Sequence, residues 1–241
     1  MPQLHLTVLS LRYSSWSMRP WLALSHAGVE FETETVLLPH MQTPGVSSAD
    51  DLEPTPMDAR RALGSIHGLF PILRVDNTAV HESLAICETV AELFPEAGLW
   101  PSDPLQRAQA RSICCEMVSG FQALRNELSC HLFARVPGYS PAPDTQTDIA
   151  RIFEIWQECL DRSGGPFLFG DFGIADAMYY PVLTRFRTYD IALPDTIEKY
   201  GTALESAPAV RQLIEIARTA PATPVYDEYI RSLGGDPQAV L

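Results

Sequence analysis

Long apolar runs are missing from this chain: no stretch of its 241 residues approaches the ~20 apolar residues that cross a bilayer. No basic segment followed by an apolar core opens it, so no signal peptide is expected and the cytoplasm is the expected compartment. Cysteine is sparse and badly spaced for cross-links. The five (Cys87, Cys114, Cys115, Cys130 and Cys159) are odd in number, form no C-x-x-C pair, and include two adjacent residues. No histidine accompanies them at ligand spacing, so no metal site is expected. Positive charge is also short. Lys plus Arg number 17 against 30 acids, and the net charge of −13 argues against nucleic acid and anionic membranes as partners. There is no internal repeat and no low-complexity tract. What is present, 46% apolar and 20% charged residues, is the composition of a folded globular chain.

The first ninety-odd residues read as mixed α/β. Leu4, Leu6 and Val8 alternate with His5 and Thr7 as a first strand, and Met18 to Ala27 turn helical before Gly28, which suits a left-handed cap. Alternation from Val29 to Thr35 predicts a second strand, parallel to the first in a right-handed βαβ unit. Residues 38–57, with four prolines and His40, read as a long exposed loop, followed by a short helix around Met57–Leu63. Pro71–Val75, the turn Asp76–Asn77 and Thr78–Val80 predict a hairpin. Ser83 is the expected N-cap of a helix running to Phe94.

Three prolines and a glycine between Pro95 and Pro104 mark the expected boundary, giving domains 1–96 and 104–241 joined by 97–103. Beyond it the periodicity is helical throughout. Ile113, Met117, Phe121, Leu124, Leu128 and Leu132 predict one long amphipathic helix, and Ile149–Leu160, Ile174–Phe186 and Val210–Ala217 predict three more.

Four stretches carry chemistry. The first is Tyr13-Ser-Ser-Trp-Ser-Met-Arg19 at a strand–helix turn, with Ser14 five residues before Arg19. The second is Gly68-Leu-Phe-Pro71, opening the hairpin. The third is Glu82-Ser83-Leu-Ala-Ile86, and the fourth runs from Gly170-Asp171 through Gly173 to Asp176. Over nearly the whole chain, the order and content of these motifs resemble the glutathione S-transferase superfamily. The Ser-Ser-x-Ser-x-Arg order resembles most closely its zeta class, the maleylacetoacetate isomerases. The resemblance implies an α/β thioredoxin-like N-terminal domain and an all-α C-terminal domain, glutathione as co-substrate, a small electrophile as second substrate, and a two-fold dimer.

It also implies roles. A thiol of pKa ~8.5 is mostly protonated at neutral pH, and only the thiolate attacks electrophiles. A hydroxyl donating to sulfur at the positive end of a helix favours the anion. Ser14 is the expected thiol partner, with Ser15 and Ser17 beside it as cofactor-site or capping residues. Phe70, before a proline that the family carries in cis, would pair its backbone with the cysteinyl unit; the alternative is an ordinary trans proline at a strand start. Glu82 would meet the ligand's α-ammonium, and Ser83 with its helix start the α-carboxylate. His67 would face the glycyl carboxylate or solvent. At the fourth motif Gly173 replaces the family's hydroxyl residue, so a serine there is expected to stabilise by at most a few tenths of a kcal/mol. Trp16 stands where the zeta class has a cysteine. Thiol transfer is therefore the leading activity, glutathione-dependent cis–trans isomerisation the second, and a non-catalytic binding protein of the same fold the third.

Overall fold

The computed structural model describes residues 2–38, 56–62 and 64–241. Strand β1 (Leu4–Val8) is followed by α1 (Ser15–His26) and β2 (Glu32–Thr35). After α2 (Met57–Ala62) come β3 (Ile72–Val75), β4 (Thr78–His81) and α3 (Ser83–Leu93). The sheet order is β2-β1-β3-β4, with β1 and β2 parallel and the other neighbours antiparallel. This is the expected thioredoxin-like arrangement. The second strand starts at Glu32 rather than Val29 and is exposed along its length; His5 reaches across to Glu32 and Glu34 at 3.3 and 3.1 Å. The predicted 38–57 loop, including His40, falls mostly outside the described residues.

Leu4, Leu6 and Val8 are buried in the core that also takes Met18 and Leu22 of α1 and Ile86 and Val90 of α3. Helix α1 has its second face against the C-terminal half, so nine of its twelve residues are buried. It ends as the sequence suggests, with Gly28 at φ +66°.

From Pro104 onward the described residues form helices and three isolated β-bridges but no strand: α4 (Pro104–Ser119), α5 (Gln122–Glu127), α6 (Pro143–Ser163), α7 (Ile174–Thr188), α8 (Asp195–Ser206), α9 (Pro208–Thr219) and α10 (Pro224–Ser232). The single long helix predicted from Ile113 to Leu132 is a correction: it breaks between α4 and α5. Phe121 adopts φ +57°, and a side chain at Gly120 would sit 2.8 Å from the Glu116 carbonyl. Helix α7 is the axis of this half, with fourteen of fifteen residues buried. Trp156 of α6 meets Tyr179, Phe186 and Tyr200 edge-on. Among the described residues no helix is long and apolar enough to cross a membrane.

The start of α7 overturns a second expectation. Gly173 has an extended backbone, φ −150°, that any residue adopts, but a Cβ built on it lies 2.7 Å from the carbonyl oxygen of Leu99. That carbonyl accepts from Ile174 N–H at 2.9 Å and is not free to move. Gly173→Ser is therefore expected to destabilise, by about 1–3 kcal/mol as overpacking does. Urea midpoints measured without glutathione check the sign; a midpoint at or above that of the native chain would contradict the steric argument.

Candidate active site

The N-terminus of α1 faces a cleft of about 720 Å³ whose opposite wall comes from α5, α7 and α10. Ser14 ends the preceding loop in an extended conformation and caps the helix: its Oγ accepts from Ser17 N–H at 3.3 Å. The Ser14 hydroxyl also donates to Ser17 Oγ at 2.9 Å, and Ser17 Oγ accepts from Leu9 N–H at 3.1 Å. Ser17 is fully buried and does not line the cleft; its hydroxyl ties β1 to α1. Ser14 and Ser15 both line it. Ser15 Oγ accepts from Arg185 Nη2 at 3.3 Å. The first amides of α1 add the partial positive charge of a helix start.

The Phe70–Pro71 bond is cis, as the resemblance implies. Phe70 lines the cleft, and among the described residues its N–H and C=O have no hydrogen-bond partner. The loop before it is held by Ser65 Oγ donating to Leu69 O and Arg60 Nη1 donating to Gly68 O, each at 2.7 Å. His67 is exposed, packs edge-on against His81 at 5.1 Å and does not line the cleft.

At α3 the cap falls one residue earlier than expected. Glu82, not Ser83, is the N-cap: its Oε2 accepts from Leu84 and Ala85 N–H at 3.0 and 3.1 Å. Glu82 takes φ +76°, ψ 134°, a conformation that costs a non-glycine residue on the order of 1–3 kcal/mol and that clusters at ligand clamps. The backbone turned this way brings the carboxylate over the helix start. Ser83 begins the helix and its Oγ donates to the Trp16 carbonyl at 2.9 Å, joining α3 to α1. Among the described residues, Glu82 Oε1 and Ser83 N–H have no partner. Neither residue lines the 720 Å³ cleft itself.

Other cleft residues come from the helical half, and sequence reasoning missed them: Arg125, Arg185, Tyr226 and Tyr229. The available signal was an arginine within the apolar run of α7. Trp16 has the guanidinium carbon of Arg19 4.1 Å from its ring centre and that of Arg125 at 5.4 Å. Arg19 is fully enclosed, its Nε donating to Met178 O at 2.9 Å. Burial, and then the neighbouring Arg185, push its pKa down to about 9. Tyr13 is no candidate for the activating group. Its hydroxyl donates to Asp227 Oδ1 at 2.8 Å, and burial raises the phenol well above its usual range.

Two family models match the sequence: the glutathione S-transferase N-terminal domain over residues 13–93 and the C-terminal domain over 117–215. The chain belongs to the glutathione S-transferase family. Among its relatives are the probable maleylacetoacetate isomerase of Caenorhabditis elegans, 25% identical over 81% of this chain and 85% of that one. The maleylacetoacetate isomerase of Rattus norvegicus is 26% identical over 75% and 77%. In structure the transferase resembles a glutathione transferase homologue from Burkholderia solved with bound glutathione. The TM-score is 0.67 at 22% identity, covering 91% of this chain and all of that one. It also resembles a diazinon-metabolizing glutathione S-transferase from Bombyx mori, with TM-score 0.68 at 18% identity, covering 89% and 97%.

Proposed function

We propose that this glutathione S-transferase binds glutathione along the edge of its sheet and joins the thiol sulfur to a small electrophile in the cleft. The observation that carries the proposal is the convergence of three ligand-ready features on the α1 end of the sheet. These are a hydroxyl at a helix N-terminus (Ser14), a strand-like backbone without partners among the described residues (Phe70), and a carboxylate that caps a helix start while leaving the Ser83 N–H unused (Glu82 and Ser83). Phe70 pairs with the cysteinyl backbone. Glu82 Oε1 faces the α-ammonium, and Ser83 N–H the α-carboxylate. Glutathione supplies the nucleophilic thiol. Ser14 turns its hydroxyl from Ser17 to the sulfur and the α1 amides stabilise the anion, while the thiol proton leaves to solvent through the open cleft. The proposal includes the division into domains 1–96 and 104–241, the cytoplasm as location, and a two-fold dimer.

A second reading, glutathione-dependent cis–trans isomerisation of a dicarboxylic acid, draws on the isomerase relatives and on the two arginines, Arg125 and Arg185, facing the cleft. Product analysis separates the two: a thioether adduct for transfer, free glutathione and an isomerised acid for the second.

Calorimetry with glutathione followed by a panel of electrophiles tests the main reading. Ser14→Ala should leave glutathione affinity within severalfold and lower turnover by about 10²-fold, as for loss of one preorganised donor to a developing anion. Wild-type turnover in Ser14→Ala would remove Ser14 from the chemistry. Absence of glutathione binding by the native chain would end the proposal as a whole.

A further inference from the structure

In a chain of net charge −13, the cleft lining includes Arg60, Arg125 and Arg185, and Arg19 is enclosed against Trp16 without lining it. Arg19 and Arg185 are 1% and 6% exposed, and among the described residues neither forms an ion pair. Nη1 of each is buried with no hydrogen-bond partner. Enclosing a guanidinium without a counter-charge is strongly unfavourable, so Arg185, which of the two lines the cleft, is placed to meet an anion there. Arg185 has one further feature: its Nη2 holds Ser15 Oγ, at the first helical position of α1 and next to Ser14.

The direction of the hydroxyl protons follows from these contacts. The Ser14 hydroxyl is already directed to Ser17 Oγ. Ser15 Oγ accepts from Arg185, and its own proton has no acceptor among the described residues. Of the two helix-start hydroxyls that line the cleft, the uncommitted donor is therefore Ser15, with a full positive charge behind it. We infer that Arg185 is a positioning residue for the thiolate: by holding Ser15 Oγ it turns the Ser15 proton into the cleft and makes Ser15 a second, charge-assisted donor to the sulfur bound at Ser14. No bond beyond S–H is broken in this step. The thiol gives its proton to solvent, and the negative charge left on sulfur is met by the two hydroxyls and the guanidinium behind one of them. The reach of the charge is visible in its neighbours. After burial, Arg185 is the largest influence lowering the pKa of both Arg19 and Arg125.

This inference rests on the glutathione reading, and its test separates the two. The measurement is the pKa of the thiol of glutathione bound to the full chain, followed by thiolate absorbance, in the native protein and in Arg185→Met, Arg185→Lys and Ser15→Ala. Arg185→Met should raise that pKa by about one unit or more, which is about a tenfold loss of thiolate below the pKa. Ser15→Ala should shift it in the same direction, and the double variant by less than the sum. Arg185→Lys, which keeps the charge, should return most of the way. Affinity for S-methylglutathione, which has no thiol to ionise, should stay within twofold throughout. If Arg185→Met does not fold, Ser15→Ala and Arg185→Lys carry the comparison. An unmoved thiol pKa in these variants overturns the inference. So does a loss of kcat/KM confined to anionic electrophiles, which would make Arg185 an anchor for the second substrate. Failure of the native chain to bind S-methylglutathione would instead strike the glutathione reading itself.

Discussion

Asp176→Ala is expected to lower the stability of the ligand-free chain by about 3–5 kcal/mol, summed from three buried donors left without an acceptor. Asp176 is 1% exposed and receives Leu168 N–H at 3.1 Å, Gly173 N–H at 2.9 Å and the Tyr200 hydroxyl at 3.1 Å. These bonds tie the start of α7 to the loop before it and to α8. Water cannot readily replace the bond from Tyr200, which is itself buried against Trp156. Asp176→Asn should lose less, since its carbonyl oxygen still serves two of the donors. Burial pushes the native carboxyl up to about 7, so the charge itself is not fully compensated and its removal offsets part of the lost bond. Urea unfolding of both variants without glutathione gives the comparison. Equal losses in Ala and Asn would mean that the Asn carbonyl oxygen does not keep the Leu168 and Tyr200 donors, and a loss below about 1 kcal/mol in Ala would mean that the α7 start rearranges to find other acceptors.

How much of this was legible in the sequence depends on whether a feature is local. Leu4, Leu6 and Val8 show β1 because a half-buried strand leaves a period of two, and the Asp76–Asn77 turn and Gly28 show themselves by residue chemistry. The chain break at Gly120–Phe121 does not. The apolar spacing runs on through it, and Phe121 is buried as a helical residue would be, yet its φ is +57°. Helices α8 and α10 were missed for different reasons: α8 buries Ile197, Tyr200, Gly201 and Leu204 at regular helical spacing but with a glycine and only two aliphatic residues on that face, whereas α10 buries Val225, Asp227 and Ile230, a short and irregular face. At the site, the motif residues were legible, but their division of labour was not. Glu82 caps α3 because its backbone takes a positive φ, which no side-chain pattern announces. Gly173 is small because the Leu99 carbonyl passes it, a contact 74 residues away in sequence. Arg185 reaches Ser15 across 170 residues. Such pairings are set by the packing of one half on the other.

Asp227→Ala should both destabilise the chain and slow it, because Asp227 fastens α10, one wall of the cleft, to the loop that carries Ser14. Its Oδ1 accepts from the Tyr13 hydroxyl at 2.8 Å and lies 3.0 Å from His131 Nε2. Phe133 N–H donates to His131 Nδ1 at 3.2 Å, which leaves the proton on Nε2, pointing at the carboxylate. Tyr13 stacks on Tyr226 of α10 at 5.0 Å and accepts from Thr223 N–H. Removing the carboxylate orphans two buried donors, an expected loss of about 2–4 kcal/mol, and loosens Tyr226, which stacks on Tyr13 in the cleft. Two titrations meet here, with Tyr13, Arg12 and Arg231 as the other charged or titratable groups around them. Burial pushes the His131 pKa down more than Asp227 raises it, and protonation at Nδ1 would also break the bond from Phe133. The unfolded chain then binds more protons than the folded one just below the ordinary histidine pKa. This contribution is complete above pH ~6.5 and is lost as pH falls through the window beneath it. Burial raises the Asp227 pKa, but the bonds from His131 and Tyr13 and the nearby charges outweigh it and hold the carboxyl below its usual range. Its contribution is therefore lost only below pH ~3.9. Mild acid should accordingly weaken the native chain through His131, together with His26 and His81, whose pKa values burial also lowers, and against the Asp176 carboxyl, which burial raises. His131→Gln, which cannot titrate, should lie lower at neutral pH and show a flatter decline between about pH 6.5 and pH 5. Urea midpoints across that range, read alongside turnover, test both halves of the argument. A decline in His131→Gln as steep as in the native chain would place the acid sensitivity elsewhere. Full turnover in Asp227→Ala would detach α10 from the chemistry of the cleft.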